Sequence, residues 1–171
     1  MSQHALLRPA APDPAPLSAL WQAEGRESAA APALLVLDPR APGWTLRLAA
    51  CGEEEAVLVL DPQRDGLLQL AELAAERAPL RGLRLCGGGE AGRLLLGQAE
   101  LTEAGLEARG WVLAALGRSL DPRAVIRLEG AAAEGAGGAR LMAALAHRTG
   151  RDVLEGEAPS RWSSPGAARP A

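Results

Sequence analysis

The sequence predicts an α/β fold, a three-layer sandwich around a mainly parallel sheet of four or five strands. Three observations predict it. Short apolar runs alternate along the chain with longer segments of helical period. The runs are continuous rather than alternating with polar residues, as suits strands covered on both faces. Proline crowds the ends, with five of 13 in residues 1–32, three in 156–171 and only five in 33–155. One α/β domain is therefore expected over residues 33–155. Residues 1–32 and 156–171 read as disordered tails, because Pro-rich segments bury too little apolar surface to offset ordering entropy.

Ala33–Asp38 is an apolar run closed by Asp-Pro and reads as the first strand. Trp44–Ala50 suits a short helix, and Ala56–Asp61 repeats the design of the first strand. Arg64–Arg77 places Leu67, Leu70, Ala71 and Ala74 on one helical stripe, with Pro79 just beyond its end. Gly82–Cys86 is the third strand, followed by a hairpin-like insert. Glu103–Leu120 reads as one helix with Leu106, Leu113, Leu116 and Leu120 inward. Its Gly105, Gly110 and Gly117 each weaken it by roughly 1 kcal/mol where exposed. Ala124–Leu128 is the fourth strand. Gly138–Thr149 is the last helix, closed by Gly150 as a C-terminal cap. Asp152–Leu154 is a short final strand. In the first tail, Pro16–Glu24 suits a short helix with Leu17, Leu20 and Trp21 on one face.

Composition narrows the function. There are 37 Ala and 30 Leu, no Lys, Asn, Phe or Tyr, and all 18 basic residues are Arg. Without Phe or Tyr the chain lacks the usual stacking platforms for single-stranded nucleic acid, and a formal charge of -3 is no basic footprint. Two cysteines cannot form a Cys-only zinc site, and two histidines leave few bases or ligands. No metal, cofactor or nucleic acid is expected, and a protein is one candidate partner. No apolar run approaches the ~18–20 residues of a membrane span. The start lacks a basic segment followed by a long apolar one, so a cytoplasmic location with reduced thiols is expected.

Two glycine-rich loops follow strands, and together they form a candidate ligand loop pair. The first runs from Cys86 through Gly87, Gly88, Gly89 and Gly92. Gly87, Gly89 and Gly92 fit the letters of a dinucleotide fingerprint, but they follow the third strand and open no helix. The acid about 20 residues on, Glu107, falls inside a helix rather than at a strand end. The second loop runs from Gly130 through Gly135 and Gly137 into the last helix. Helix N-termini bind anions, but no phosphate-loop Lys is present, so a strand-to-helix turn is the simpler reading. Both loops should meet at one edge of the sheet.

Cys86 stands at a strand end, where a nucleophile could sit. The one His outside the tail, His147, shares a helix face with Arg140, Ala143 and Arg151 and should face water. A thiol needs a base or a positive charge beside it. None is expected beside Cys86, which reads as a buried structural cysteine. Cys51 and the Glu53–Glu55 run read as a solvated turn. Asp61 and Asp65 read as turn and N-cap residues rather than as an acid–base pair.

Leu58-Val59-Leu60-Asp61-Pro62-Gln63-Arg64-Asp65-Gly66-Leu67 is similar to a stretch of a bacterial domain of unknown function, family 4347, common near the start of giant surface adhesins. The resemblance continues through Gly82–Gly97, Val125–Gly130 and Thr149-Gly150-Arg151-Asp152-Val153, and covers about residues 33–155. That family resembles the caspase and gingipain type of α/β fold. Its dyad sits in a Ser-His-Gly loop after the third strand and a Gly-Cys-Asn loop after the fourth. Alignment on Leu94-Leu95-Leu96-Gly97 and on Leu128-Glu129-Gly130 puts Gly88 at the His position and Ala131 at the Cys position. The resemblance thus implies a non-catalytic, degenerate member acting by binding or as a scaffold. A small-ligand or nucleotide-binding protein using loops 86–92 and 130–138 is the alternative. The family context also implies a cell-surface or secreted setting, or a relic of a larger surface protein.

Overall fold

The computed structural model describes residues 32–156. The chain runs β1 (Ala33–Leu37), α1 (Trp44–Ala49), β2 (Glu55–Val59), α2 (Gly66–Arg77), β3 (Leu80–Cys86), β4 (Gly88–Glu90), β5 (Arg93–Leu96) and β6 (Ala99–Thr102). It continues through α3 (Gly110–Ser119), β7 (Leu120–Glu129), a 3-10 turn (Ala131–Ala133), α4 (Gly135–Thr149) and β8 (Asp152–Gly156). Five strands form one parallel sheet in the order β2-β1-β3-β7-β8. β4, β5 and β6 form a separate antiparallel sheet, which is the insert. The α/β sandwich expected from the apolar runs is the fold observed.

Alternation along the strands divides the core in two. Leu34 and Val36 of β1 point the same way as Leu83 and Leu85 of β3 and Ile126 and Leu128 of β7. That face packs against Leu67 and Leu70 of α2, Val112 and Leu116 of α3, and Leu141 and Leu145 of α4. The opposite face holds Leu35, Leu37 and Cys86, packed against Ala41 and against Trp44 of α1. All five β1 residues are buried, as a central strand covered on both sides requires. α2 is capped by Asp65, whose Oδ1 accepts the Leu68 N–H at 3.0 Å. α4 ends at Gly150, at φ 66°, a left-handed cap that favours glycine.

Several sequence expectations need correction. β2 is not covered on both faces: it is an edge strand, and Val57 and Val59 are exposed. The helix expected over Glu103–Leu120 begins only at Gly110. Residues 103–109 form turns, with Gly105 and Leu106 donating to the side chain and carbonyl of Thr102 at 3.1 and 3.0 Å. Glu107 therefore lies in a turn and not in a helix. Leu106 is buried from that turn, so its apolar spacing mimicked helix. β7 starts four residues earlier than the apolar run, at Leu120. Its register with β3 shifts between Leu80 and Gly82, and the extra β7 residues include Pro122, which cannot donate to a ladder. α4 starts at Gly135, so its glycines are helical rather than loop. Glu55 is the first residue of β2, not part of a solvated turn. Gly156 ends β8 rather than opening a tail. The tails otherwise, and the Pro16–Glu24 helix, lie outside the described residues. Among the described residues no helix is long and apolar enough to cross a membrane.

Candidate functional site

The strand order reverses direction between β1 and β3: β2 lies on one side of β1, and β3, β7 and β8 on the other. The segments leaving β1 and β3 therefore part above the sheet, and such a divergence opens a crevice at the C-terminal strand ends. Two cavities lie there. One, of about 240 Å³, is walled by Gly87–Gly89 after β3 and by Gly130 and Ala131 after β7. Pro42, Arg47, Cys86 and Glu129 complete its wall. The second, of about 340 Å³, shares Pro42, Gly88 and Gly89 with the first and adds Asp38, Arg40 and Leu95.

Two groups of paired charges lie in and behind these walls. Asp38, just past β1, is fully buried. Its carboxylate accepts the Gly97 N–H at 2.7 Å, the Arg40 N–H at 2.9 Å and the Arg40 guanidinium at 3.0 and 3.1 Å. The same guanidinium donates to the Gly97 carbonyl, which ties the end of β1 to the insert. Burial pushes the Asp38 carboxyl up, but these donors together outweigh it and hold it below the usual carboxylate range. Glu129, at the end of β7, is 1% exposed and lies between two cations. It accepts from Arg47 Nε at 2.9 Å and from Arg84 Nε at 2.7 Å. Arg84 also donates through Nη1 to both oxygens of Glu55, at 3.1 and 3.0 Å. Burial alone would lower the Arg84 pKa, yet Glu129 and Glu55 raise it, so the guanidinium stays charged. Arg47 is held further by the Pro42 carbonyl, which accepts from Nη1 at 2.8 Å.

Cys86 is buried in the cavity wall beside this cluster. The expectation that no positive charge stands near it is corrected: Arg47 and Arg84 both favour its thiolate. Burial is the larger effect, with Glu129 and Asp38 acting the same way, and the thiol is pushed up. Cys51 donates to Glu55 Oε2 at 3.4 Å and is pushed up to about 11, by burial first and then by that carboxylate.

The two positions singled out by the resemblance, Gly88 and Ala131, stand in the wall of one cavity, together with Cys86, Gly87, Gly89 and Gly130. Gly92, Gly135 and Gly137 do not line it. Gly92 and Gly137 pack on each other: a Cβ on Gly92 would lie 2.9 Å from the Gly137 backbone. Gly88–Glu90 is a strand rather than a loop. His147 is exposed on α4 and lines neither cavity. Asp65 caps α2 and pairs with Arg109, while Asp61 accepts the Gln63 N–H at 2.8 Å, so both acids serve turns and caps. Among the described residues no group of three His, Cys, Asp or Glu is placed to hold a metal ion.

Sequence reasoning missed two charged groups, the Asp38–Arg40 pair and the Arg47–Glu129–Arg84–Glu55 chain. The available signal was Arg84 and Glu129 inside or closing otherwise apolar strands, where an unpaired charge would be costly.

Residues 34–159 match the model of a family described as Domain of unknown function (DUF4347). The chain belongs to that family. No curated protein and no solved structure matches it. The match spans all five strands of the main sheet but for Ala33, so the cavities at the sheet's edge are part of the DUF4347 domain itself.

Proposed function

We propose that this DUF4347 domain works by binding, without catalysis, and that the paired cavity at the C-terminal edge of its sheet is the site. One observation carries the reading: Gly88 and Ala131, the positions where the resemblance places an imidazole and a thiol, share the wall of one cavity. Glycine and alanine can neither accept a proton nor attack a carbonyl. The thiol that is present, Cys86, is kept protonated by its burial and is a poor nucleophile. On this reading the domain is a pseudo-cysteine-peptidase that retains a recess without the reactive groups.

The two cavities, at about 240 and 340 Å³, suit a small molecule or the side chains of a protein partner. A second reading, a small-ligand or nucleotide site made by the two glycine loops, is favoured by their meeting in one wall. It must do without Gly92 and Gly137, which are occupied with each other.

Both readings place the ligand against Ala131. A thermal-shift screen of nucleotides, phosphosugars, anions and short peptides tests this, since a ligand of the native state raises Tm. The expected result is a ligand that stabilises the wild type and not Ala131→Phe. No stabilisation at millimolar ligand, or a shift kept in Ala131→Phe, would sink the site. Turnover of a mixed peptide library that is abolished by Cys86→Ala would overturn the non-catalytic reading.

A further inference from the structure

The paired cavity is asymmetric in charge. Each half carries one arginine, Arg47 in the smaller and Arg40 in the larger, and the halves adjoin along Pro42, Gly88 and Gly89. A carboxylate backs each arginine and lies deeper. The side chains of Asp38 and Glu129 are both 1% exposed, whereas those of Arg40 and Arg47 are 50% and 14% exposed. The positive end of each ion pair is thus the end nearer the recess and the solvent, and the nearer charge dominates the field there.

The acids have little left to offer a ligand. Asp38 Oδ1 accepts the Arg40 backbone N–H and Nε, and Oδ2 accepts Arg40 Nη2 and the Gly97 N–H. Those four bonds fill the acceptor sites of a carboxylate. Each Glu129 oxygen holds one guanidinium. The arginines are not filled. Arg40 donates through Nε and Nη2, and Arg47 through Nε and Nη1. Among the described residues, Nη1 of Arg40 and Nη2 of Arg47 have no partner. Both guanidiniums are already held in place, so little side-chain freedom remains to be lost on binding. The glycine wall between them leaves room: a Cβ at Gly130 would meet nothing within 4 Å, and one at Gly88 only Leu95, at 3.9 Å. The recess therefore offers donors and positive charge and wants acceptors, and guanidinium matches carboxylate and phosphate oxygens.

We propose, on the binding reading of this cavity, that its ligand is a small organic dianion, with one carboxylate or phosphate on Arg47 and the other on Arg40. Isothermal titration calorimetry of the full chain at low ionic strength tests it. The probes are malonate, succinate, glutarate and phosphoglycolate, beside acetate and the neutral diamides of the three dicarboxylates. At least one dianion should bind about tenfold more tightly than acetate, and a dicarboxylate also about tenfold more tightly than its own diamide. Arg40→Gln and Arg47→Gln should each bring that dianion down to the affinity of acetate, and Ala131→Phe should abolish its binding. No dianion bound at millimolar concentration, equal affinity for dicarboxylate and diamide, or binding that survives both arginine variants overturns the proposal. Where a variant fails to fold, the series in the wild type decides alone. A neutral ligand that binds the wild type and not Ala131→Phe, with no dianion bound, overturns the dianion and leaves the binding reading standing. A dianion that still binds Ala131→Phe overturns both.

Discussion

Removing the Glu129 carboxylate would leave Arg47 and Arg84, 14% and 13% exposed, without the anion that lies between them. Taking one member from a buried ion cluster costs more than the cluster contributes, because the partners stay desolvated: Arg47 loses its carboxylate and Arg84 keeps Glu55 alone. Glu129→Ala is accordingly expected to lower stability by about 3–5 kcal/mol, read from urea unfolding; a loss below about 1 kcal/mol would show that the cluster is solvated and slack. Asp38 differs in that its donors come from the backbone of Gly97 as well as from Arg40. Its folded pKa is lowered, so its contribution is fully present above the unfolded value near ~3.9 and is lost as pH falls through the lower folded value. Asp38→Asn should be less stable than wild type at pH 7, with the gap narrowing once pH drops below about 4; a gap independent of pH would remove the charge from the account. These residues were hard to read from the sequence for a specific reason. Asp38 resembles a strand terminator followed by Pro, and Glu129 a strand-end acid. Glu55 and Arg84 stand on strands separated by β1, so their pairing is visible only once the strand order is known.

At the scale of elements, the middles of strands and helices were legible because burial imposes period on apolar residues. Their ends were not, because what ends them is tertiary. The β7 register shift near Pro122 leaves no periodic trace, and the turn that buries Leu106 leaves one that mimics a helix. Gly117 shows how propensity and packing part company. In an isolated helix, replacing it with Ala would gain roughly 1 kcal/mol. In α3 a Cβ at Gly117 would run into the backbone of Thr149 at the end of α4, with the Thr149 Cα only 3.1 Å away. Backbone cannot swing aside as a side chain can. Gly117→Ala should therefore destabilise the domain by about 1–3 kcal/mol, as overpacking does, measured by the shift of the urea midpoint. A stabilised variant would mean that α3 and α4 are not in this close contact.

For the whole molecule, the alternation of runs made the sandwich legible, and the resemblance brought Gly88 and Ala131 to notice before their shared cavity could be seen. What no local pattern encodes is that the third strand returns to the far side of the first. That one reversal places the crevice between β1 and β3 and leaves β2 and β8 as the sheet's edges. It also sets a gradient of local stability. β1 is buried at every residue and hydrogen-bonded to strands on both sides, and β3 lies next to it within the main core. Among the described residues β8 has one partner strand and no fully buried residue, and β2 likewise. Opening an edge strand exposes little apolar surface and breaks one ladder, whereas opening β1 breaks two and exposes both cores, which is close to global unfolding. Native-state hydrogen exchange should accordingly find the amides of Leu35, Val36, Leu83 and Leu85 opening only with the global free energy and sharing its denaturant dependence. Amides of Val153 and Leu154 should open at lower free energy and with little denaturant dependence. If β8 proved as protected as β1, the sheet would not end there, and a further chain segment or a second molecule would have to lie against its free edge.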